Sequence, residues 1–203
     1  MTRPSSTKLP LSGAVLAGGR AQRFNGRDKT SLRLGGESLL NRTLGILNYF
    51  CAETLISSNT LPEYPEGRIV PDQEKDQGPL GAIYSCLLAA HHPYLLIVAG
   101  DMPFITVPAL TKLWQEKKNF DVIIPKTPDG LQPLAAIYKQ SCIPAIAAQL
   151  KEKNFKIRSF FDDVRVNVLI CSAFPDIYQD NTFLNINSPD DLRRARSLYR
   201  KTN

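Results

Sequence analysis

Gly18 and Gly19 directly follow a short apolar run, Ala14-Val15-Leu16-Ala17, and three fixed cations come after them at Arg20, Arg23 and Lys29. Paired glycines let a backbone turn tightly and approach a ligand with no Cβ in the way. The loop offers N–H groups and the cations add charge, so the segment suits a polyphosphate. Spacing excludes two commoner phosphate loops. A P-loop places lysine right after its last glycine, whereas here Gly26 is followed by Arg27, Asp28 and only then Lys29. A dinucleotide fingerprint reads Gly-x-Gly-x-x-Gly, but Gly18 and Gly19 are adjacent and the next glycine is Gly26. The expected chemistry is that of a protein handling a nucleoside triphosphate. A plain glycine turn with solvated basic residues is the alternative, and it leaves the motifs downstream unexplained.

The second motif is Val98-Ala99-Gly100-Asp101-Met102-Pro103, at the carboxyl end of the most apolar expected strand. Open α/β sheets bind ligands outside the carboxyl ends of their strands. Asp101 there either holds a metal or caps the turn before Thr106. With a phosphate loop in the same chain the metal reading is favoured, and Mg²⁺ fits because it takes carboxylate, phosphate and water oxygens. The third motif is Val70-Pro71-Asp72 followed by Gly78-Pro79-Leu80-Gly81. It is a glycine-proline helix entry, along which a nucleobase could be read by backbone N–H and C=O groups. The fourth is Phe183-Leu184-Asn185-Ile186-Asn187-Ser188-Pro189-Asp190-Asp191-Leu192. Alternation puts Asn185 and Asn187 on one side of an extended segment. Their amides could complete a metal shell or hold an acceptor phosphate. A helix cap explains Ser188 but not the asparagines.

From about residue 11 to 196 these motifs resemble the molybdenum cofactor guanylyltransferase family: Leu-Ala-Gly-Gly with Arg-Phe, Gly and Asp-Lys at the right intervals, Gly-Asp-Met-Pro, and Asn-Ile-Asn-Ser-Pro-Asp-Asp-Leu. The resemblance implies a three-layer α/β/α, Rossmann-like nucleotidyltransferase with a mostly parallel central sheet. It implies transfer of GMP from GTP to the phosphate of molybdopterin or the molybdenum cofactor, with release of pyrophosphate. Arg23, Lys29 and Asp101 would be catalytic. Leu16, Ala17, Gly18, Gly19, Lys29, Asn59, Asp72, Gly78, Gly81 and Asp101 would bind nucleotide. Gln132, Asn185 and Asn187 would bind the acceptor, with Lys156-Ile157-Arg158 near it, and Asp101 and Asn187 would hold Mg²⁺. Cofactor-insertion and molybdoenzyme maturation proteins are the implied partners, in the cytoplasm. Leu-Ala-Gly-Gly rather than Leu-Ala-Ala-Gly leans toward guanylyl over cytidylyl transfer. A cytidylyltransferase acting on molybdopterin or another phosphorylated acceptor stays open, as does a non-catalytic carrier of nucleotide or cofactor. A carrier would not need the whole reaction set.

Positioning these motifs takes alternating strands and helices. Apolar β-rich runs fall at 13–17, 54–57, 68–70, 95–99, 121–124, 134–138 and 166–170, and helical periodicity at 38–50, 80–90, 107–117, 141–151 and 189–200. Continuous apolar strands such as Leu95–Ala99 belong to a sheet covered on both faces, hence a three-layer α/β domain. Ser188 and Thr106, each with a proline close behind, mark helix starts.

The chain of 203 residues suits one domain, expected over 10–203 after a loose tail over 1–9. Its 43% hydrophobic and 22% charged residues are those of an ordinary globular protein. The net charge of +6 suits an anionic ligand. Arg193, Arg196 and Arg200 share one helical face, read as solvated, and the aromatics do not interleave with the basic residues, so no nucleic acid is expected. Cys51, Cys86, Cys142 and Cys171 are too scattered for a zinc site or a disulfide scaffold. The adjacent His91 and His92 point different ways and read as a helix-end feature. No signal peptide and no membrane span are expected.

Overall fold

The computed structural model describes residues 8–17, 32–61 and 63–202. β1 (Leu9–Leu16) leads to a small hairpin of β2 (Arg33–Leu34) and β3 (Glu37–Ser38), then α1 (Leu39–Phe50), β4 (Cys51–Ser57) and β5 (Arg68–Val70). α2 (Gly78–Ala89), β6 (Tyr94–Ala99), α3 (Val107–Gln115) and β7 (Val122–Thr127) continue the alternation. β8 (Gly130–Leu131), β9 (Ala135–Lys139), α4 (Ile143–Lys151), β10 (Val166–Ile170) and α5 (Pro189–Thr202) complete it. Leu9, placed by the sequence reading at the end of a loose tail, already pairs with Cys51 in the sheet. Residues 1–7 lie outside the described residues.

Among the described residues the strands form one large sheet in the order β10-β7-β9-β6-β1-β4-β5, with β8 on β7. β6, β1, β4 and β5 run parallel, and β10 runs parallel to β7. β9 runs antiparallel to both β6 and β7. The cause is chain length. Residues 128–134 separate β7 from β9, too few for the dozen or more that a parallel crossover needs.

The period-2 alternation of each strand feeds two cores. On one face Val15, Ile56, Leu96, Val98, Ile123 and Ile137 pack with α1 and α3 side chains such as Leu44, Leu47 and Leu110. On the other face Ala14, Leu55, Leu95, Ile97, Ile124 and Tyr138 pack with Leu80, Ile83 and Leu87 of α2 and Ile146 of α4. Burying each large aliphatic side chain stabilises by roughly 1.5–3 kcal/mol, enough to pin the register wherever both faces are covered. At the amino end of β7, Asp121 accepts from Arg165 Nε at 2.9 Å, Arg165 N–H at 3.1 Å and Ser141 Oγ at 2.8 Å. The Arg165 guanidinium, with these other donors, holds the carboxyl far below the ordinary carboxylate range despite its burial. The four cysteines are free and buried. Burial pushes the thiols of Cys51, Cys86 and Cys142 up to about 12.

Candidate active site

The carboxyl ends of four parallel strands finish level. Leu16 lies opposite Ser57 on one side and Ala99 on the other, and Ser57 lies opposite Val70. Backbone bonds extend the ladder one residue further: Ala17 N–H to Ser57 C=O at 3.0 Å, Gly100 N–H to Leu16 C=O at 3.2 Å, and Ser58 N–H to Val70 C=O at 3.1 Å. Leu16, Ala17, Asn59, Asp72 and Asp101 therefore leave the sheet along one edge. Asp72 follows β5 and Asp101 follows β6, three strand spacings apart, or roughly 14 Å.

On the outer side of that edge two motifs meet. Asn59 Nδ2 donates to Asp72 Oδ2 at 2.7 Å, and Asp72 N–H donates to Asn59 Oδ1 at 2.9 Å. Asn59 is itself set by Ser58, whose Oγ accepts from the N–H groups of Thr60 and Leu61. Beside the pair, α2 begins at Gly78, two residues before the sequence pattern suggests. Gln77 supplies no side-chain cap there, so the first N–H groups of the helix face the site edge with their positive partial charge. Both glycines are needed by the backbone. Gly78 has φ +62°, and a Cβ on Gly81 would fall 2.6 Å from Gln77 Cβ. Sequence reasoning missed Ser85, which accepts from Gln73 N–H at 2.9 Å and donates to Gly81 C=O at 2.8 Å. It fixes the Asp72 loop on α2. A lone serine on an otherwise apolar helix face was the available signal.

On the inner side, Asp101 sits in a tight turn in which Met102 N–H bonds Ala99 C=O at 3.3 Å. Ile186 N–H donates to Asp101 C=O at 2.9 Å, which brings the asparagine segment to the Asp101 turn. The run 184–187, which belongs to no helix or strand, buries Ile186 and leaves Asn185 and Asn187 half-buried. Asn185 Oδ1 is buried with no hydrogen-bond partner. Ser188 and Asp191 form the expected cap reciprocally: Asp191 N–H to Ser188 Oγ at 3.2 Å, and Ser188 N–H to Asp191 Oδ2 at 2.8 Å. Asn187 N–H also donates to Asp191 Oδ2, at 2.9 Å. The Ser188 hydroxyl and these N–H groups, with Arg194 nearby, hold the Asp191 carboxyl below its ordinary range.

This arrangement agrees with what the chain is similar to. A family model described as a MobA-like NTP transferase domain matches residues 13–168. The chain belongs to the MobA-like NTP transferase family. It is 36% identical to the "Probable molybdenum cofactor guanylyltransferase" of Pelotomaculum thermopropionicum, covering 94% of both chains. It is 33% identical to the protein of that name from Chloroflexus aggregans, over 96% of this chain and 98% of the relative. A crystal structure of molybdopterin-guanine dinucleotide biosynthesis protein A from Archaeoglobus fulgidus superposes with a TM-score of 0.81 at 28% identity, covering 94% of this chain and 99% of that one.

The family's three-layer nucleotidyltransferase fold is thus present, with Asn59, Asp72, Gly78 and Gly81 grouped on one side of the edge and Asp101, Asn185 and Asn187 on the other. Gly18, Gly19, Arg20, Arg23 and Lys29 lie outside the described residues. Antiparallel β9 brings its amino end to the same edge, and Ala99 N–H reaches Leu134 C=O at 2.8 Å. Gln132 precedes it, and its Nε2 donates to Thr127 Oγ1 at 3.0 Å, so its side chain braces the β7–β8 hairpin. Lys156-Ile157-Arg158 opens a 3-10 turn whose Phe160 is buried against Tyr138, on the α2 and α4 side of the sheet. His91 follows the end of α2 as expected. Its N–H and Nδ1 both lie 3.0 Å from the carboxylate of Glu53, near the opposite end of the strands.

The donor set suits Mg²⁺. Asp101 offers a carboxylate, and the two asparagines offer amide oxygens, one of them orphaned in the interior. Among the described residues no three His, Cys, Asp or Glu side chains cluster as a metal cage. Mg²⁺ does not need one, because it keeps waters and takes substrate phosphates alongside one or two carboxylates.

Proposed function

We propose that the chain transfers GMP from GTP to the terminal phosphate of molybdopterin or its molybdenum-loaded form. The observation that carries this reading is the placement of the Asn59–Asp72 pair and Asp101 along one sheet edge, in a chain whose relatives over nearly its whole length are named molybdenum cofactor guanylyltransferases. The acceptor phosphate oxygen attacks the α-phosphorus of GTP, the bond from α-phosphorus to the bridging oxygen breaks, and pyrophosphate leaves. The acceptor is already ionised, so no side-chain nucleophile or base is required. The difficulty is bringing like charges together, and the protein's work is electrostatic.

In this reading Asn59, Asp72 and the open α2 terminus hold the guanosine part. Arg23, Lys29 and the N–H groups of Gly18–Arg20 would steady the triphosphate, since Ala17 N–H is already spent on Ser57 C=O. Asp101 and Asn187 would hold Mg²⁺, which when bound neutralises phosphate charge. Gln132 and Asn185 are assigned to the acceptor side, Gln132 through the hairpin that its side chain braces. The product passes to cofactor-insertion and molybdoenzyme maturation proteins in the cytoplasm. Among the described residues no helix is long and apolar enough to cross a membrane.

Calorimetric titration with GTP, CTP, ATP and UTP, with and without Mg²⁺, is the first test, followed by pyrophosphate release in the presence of molybdopterin. GTP preference and GTP-dependent release are expected. A CTP preference would move the assignment to cytidylyl transfer, and tight nucleotide binding without any release would favour the carrier.

A further inference from the structure

A third, smaller core lies apart from the two that flank the sheet. Leu34, Leu39, Ile186 and Ala195 are its buried centre, and Leu32, Phe104 and Tyr199 pack around it. Its members come from four separate stretches of chain, three of them next to candidate site residues. Leu32 stands three residues after Lys29, Phe104 three after Asp101, and Ile186 between the two asparagines. Ile186 fills this core with its side chain while its N–H holds the Asp101 carbonyl. Whatever seats this core therefore also seats the asparagines against the metal motif.

Tyr199 is what fastens it at the far end. Gly35, with φ +62°, is packed so closely under the ring that a Cβ there would fall 2.3 Å from Tyr199 Cζ. On the same ring the Arg42 guanidinium lies 5.1 Å from the centroid, and Arg42 Nη2 donates to Leu34 C=O at 3.2 Å. The hairpin, α1 and α5 thus close on one aromatic ring. The near end of α5 is fixed by the Ser188–Asp191 cap, two residues from Ile186. A rigid helix clamped at both ends leaves the intervening Ala195 and Leu192 seated on Leu34 and Leu39.

We propose that Tyr199 is a positioning residue of the transfer reaction. By locking α5 onto the β2–β3 hairpin, it holds Ile186, and with it Asn185 and Asn187, in register with Asp101. The inference rests on the guanylyl-transfer reading. The nucleoside side of the edge is tied less closely to this device: Ile56 of β4 packs on α1, but Leu55, Val70, Leu80 and Ile83 of β4, β5 and α2 pack into a separate core. Loss of the lock should separate turnover from nucleotide grip. A misplacement of about 1 Å at reacting groups costs up to ~10²-fold in rate.

The test compares Tyr199→Ala and Tyr199→Phe with the wild type, using kcat for pyrophosphate release, GTP affinity by calorimetry, and amide exchange at Ile186. Tyr199→Ala is expected to lower kcat about 10- to 100-fold with GTP affinity within about threefold, and to speed exchange at Ile186 but not at Asp72. Tyr199→Phe keeps the ring and its packing on Gly35 and Arg42, and should recover most of each loss. Gly35→Ala, which pushes a methyl into that ring, should mimic Tyr199→Ala. Folded Tyr199→Ala with wild-type kcat and unchanged exchange at Ile186 would overturn the inference. So would parallel losses of kcat and GTP affinity, with faster exchange at both Ile186 and Asp72. A wild type that releases no pyrophosphate would instead defeat the transfer reading, while the exchange measurement still decides the lock.

Discussion

Asn59→Ala removes both bonds of the clasp: the amide donated to Asp72 at 2.7 Å and the oxygen that receives Asp72 N–H at 2.9 Å. One is charge-assisted, and sheltered from water the two together would contribute about 2–3 kcal/mol. Both are solvent-exposed, so water replaces much of the loss and the stability cost should be about 1 kcal/mol. In the proposed reading the larger effect falls on GTP binding, for which the clasp would pre-set two ligand groups. Losing that order for ~1–2 kcal/mol weakens GTP binding roughly 5- to 30-fold. Asn59→Asp is the sharper test, because it keeps the shape, removes the donor and sets a second carboxylate beside Asp72. Two such charges about 4 Å apart repel by ~1 kcal/mol in water and ~4 kcal/mol at an effective dielectric near 20. The order of GTP affinity at pH 7 should be wild type, then Ala, then Asp, with the Asp penalty shrinking in high salt. Titration calorimetry beside thermal melts reads both effects. Alanine with wild-type affinity and a lowered Tm would make the clasp a strand fastener only, and Asp binding better than Ala would refute the charge argument.

Asp101→Ala should lose at least ~10² in turnover while circular dichroism stays native, and an unfolded variant would make the residue structural instead. Lys29→Ala is expected to slow turnover roughly 10²–10³-fold, read by pyrophosphate release, and unchanged turnover would remove it from the charge-stabilising set. Leu96→Ala, at 0% exposure in the central strand, should cost about 2–5 kcal/mol in urea melts, and a loss below ~1 kcal/mol would mean the core refills the cavity. Asp121, ordinarily titrating at 3.8, is held far lower in the folded chain. Its contribution is fully present above that value, and it is lost as pH falls through the folded one. Tm should therefore drop from about pH 5 downward, and Asp121→Asn should lower Tm at pH 7 while flattening that acid slope.

The central strands were legible because both of their faces are covered, so Leu95–Ala99 reads as an unbroken apolar run. Thr106 and Ser188 announced their helices because a side-chain oxygen satisfies an otherwise orphaned N–H. The direction of β9 was not legible, since an apolar run is the same read either way. The shortness of 128–134 was the hint. The β2–β3 hairpin was missed because its strands are two residues long and carry Arg33 and Glu37, leaving the Gly35-Gly36 doublet as its mark. At the site, residue types and motif spacing singled out Asn59, Asp72 and Asp101, and the structure sets them just past the carboxyl ends of neighbouring strands. Types and spacing did not reveal that Asn59 and Asp72 clasp each other, or that the Ile186 backbone joins Asp101, since both contacts span distant parts of the chain.

The reversed strand β9 has a consequence for how such a chain can change. The outgoing end of β7 and the incoming end of β9 both open at the site edge, joined by the short β8 excursion. That connection can grow or shrink without moving any rung of the parallel ladder, and doubling a loop's length costs only about 0.6 kcal/mol in closure entropy. The opposite flank has no such freedom, because Asp72 and the start of α2 are tied to β4, β5 and Ser85. The molecule thus has one flank in which insertions are cheap and one in which they are costly. In the proposed reading, variants with new acceptor preference are best sought by length changes between Thr127 and Leu134, with the proposed nucleotide side left as it is.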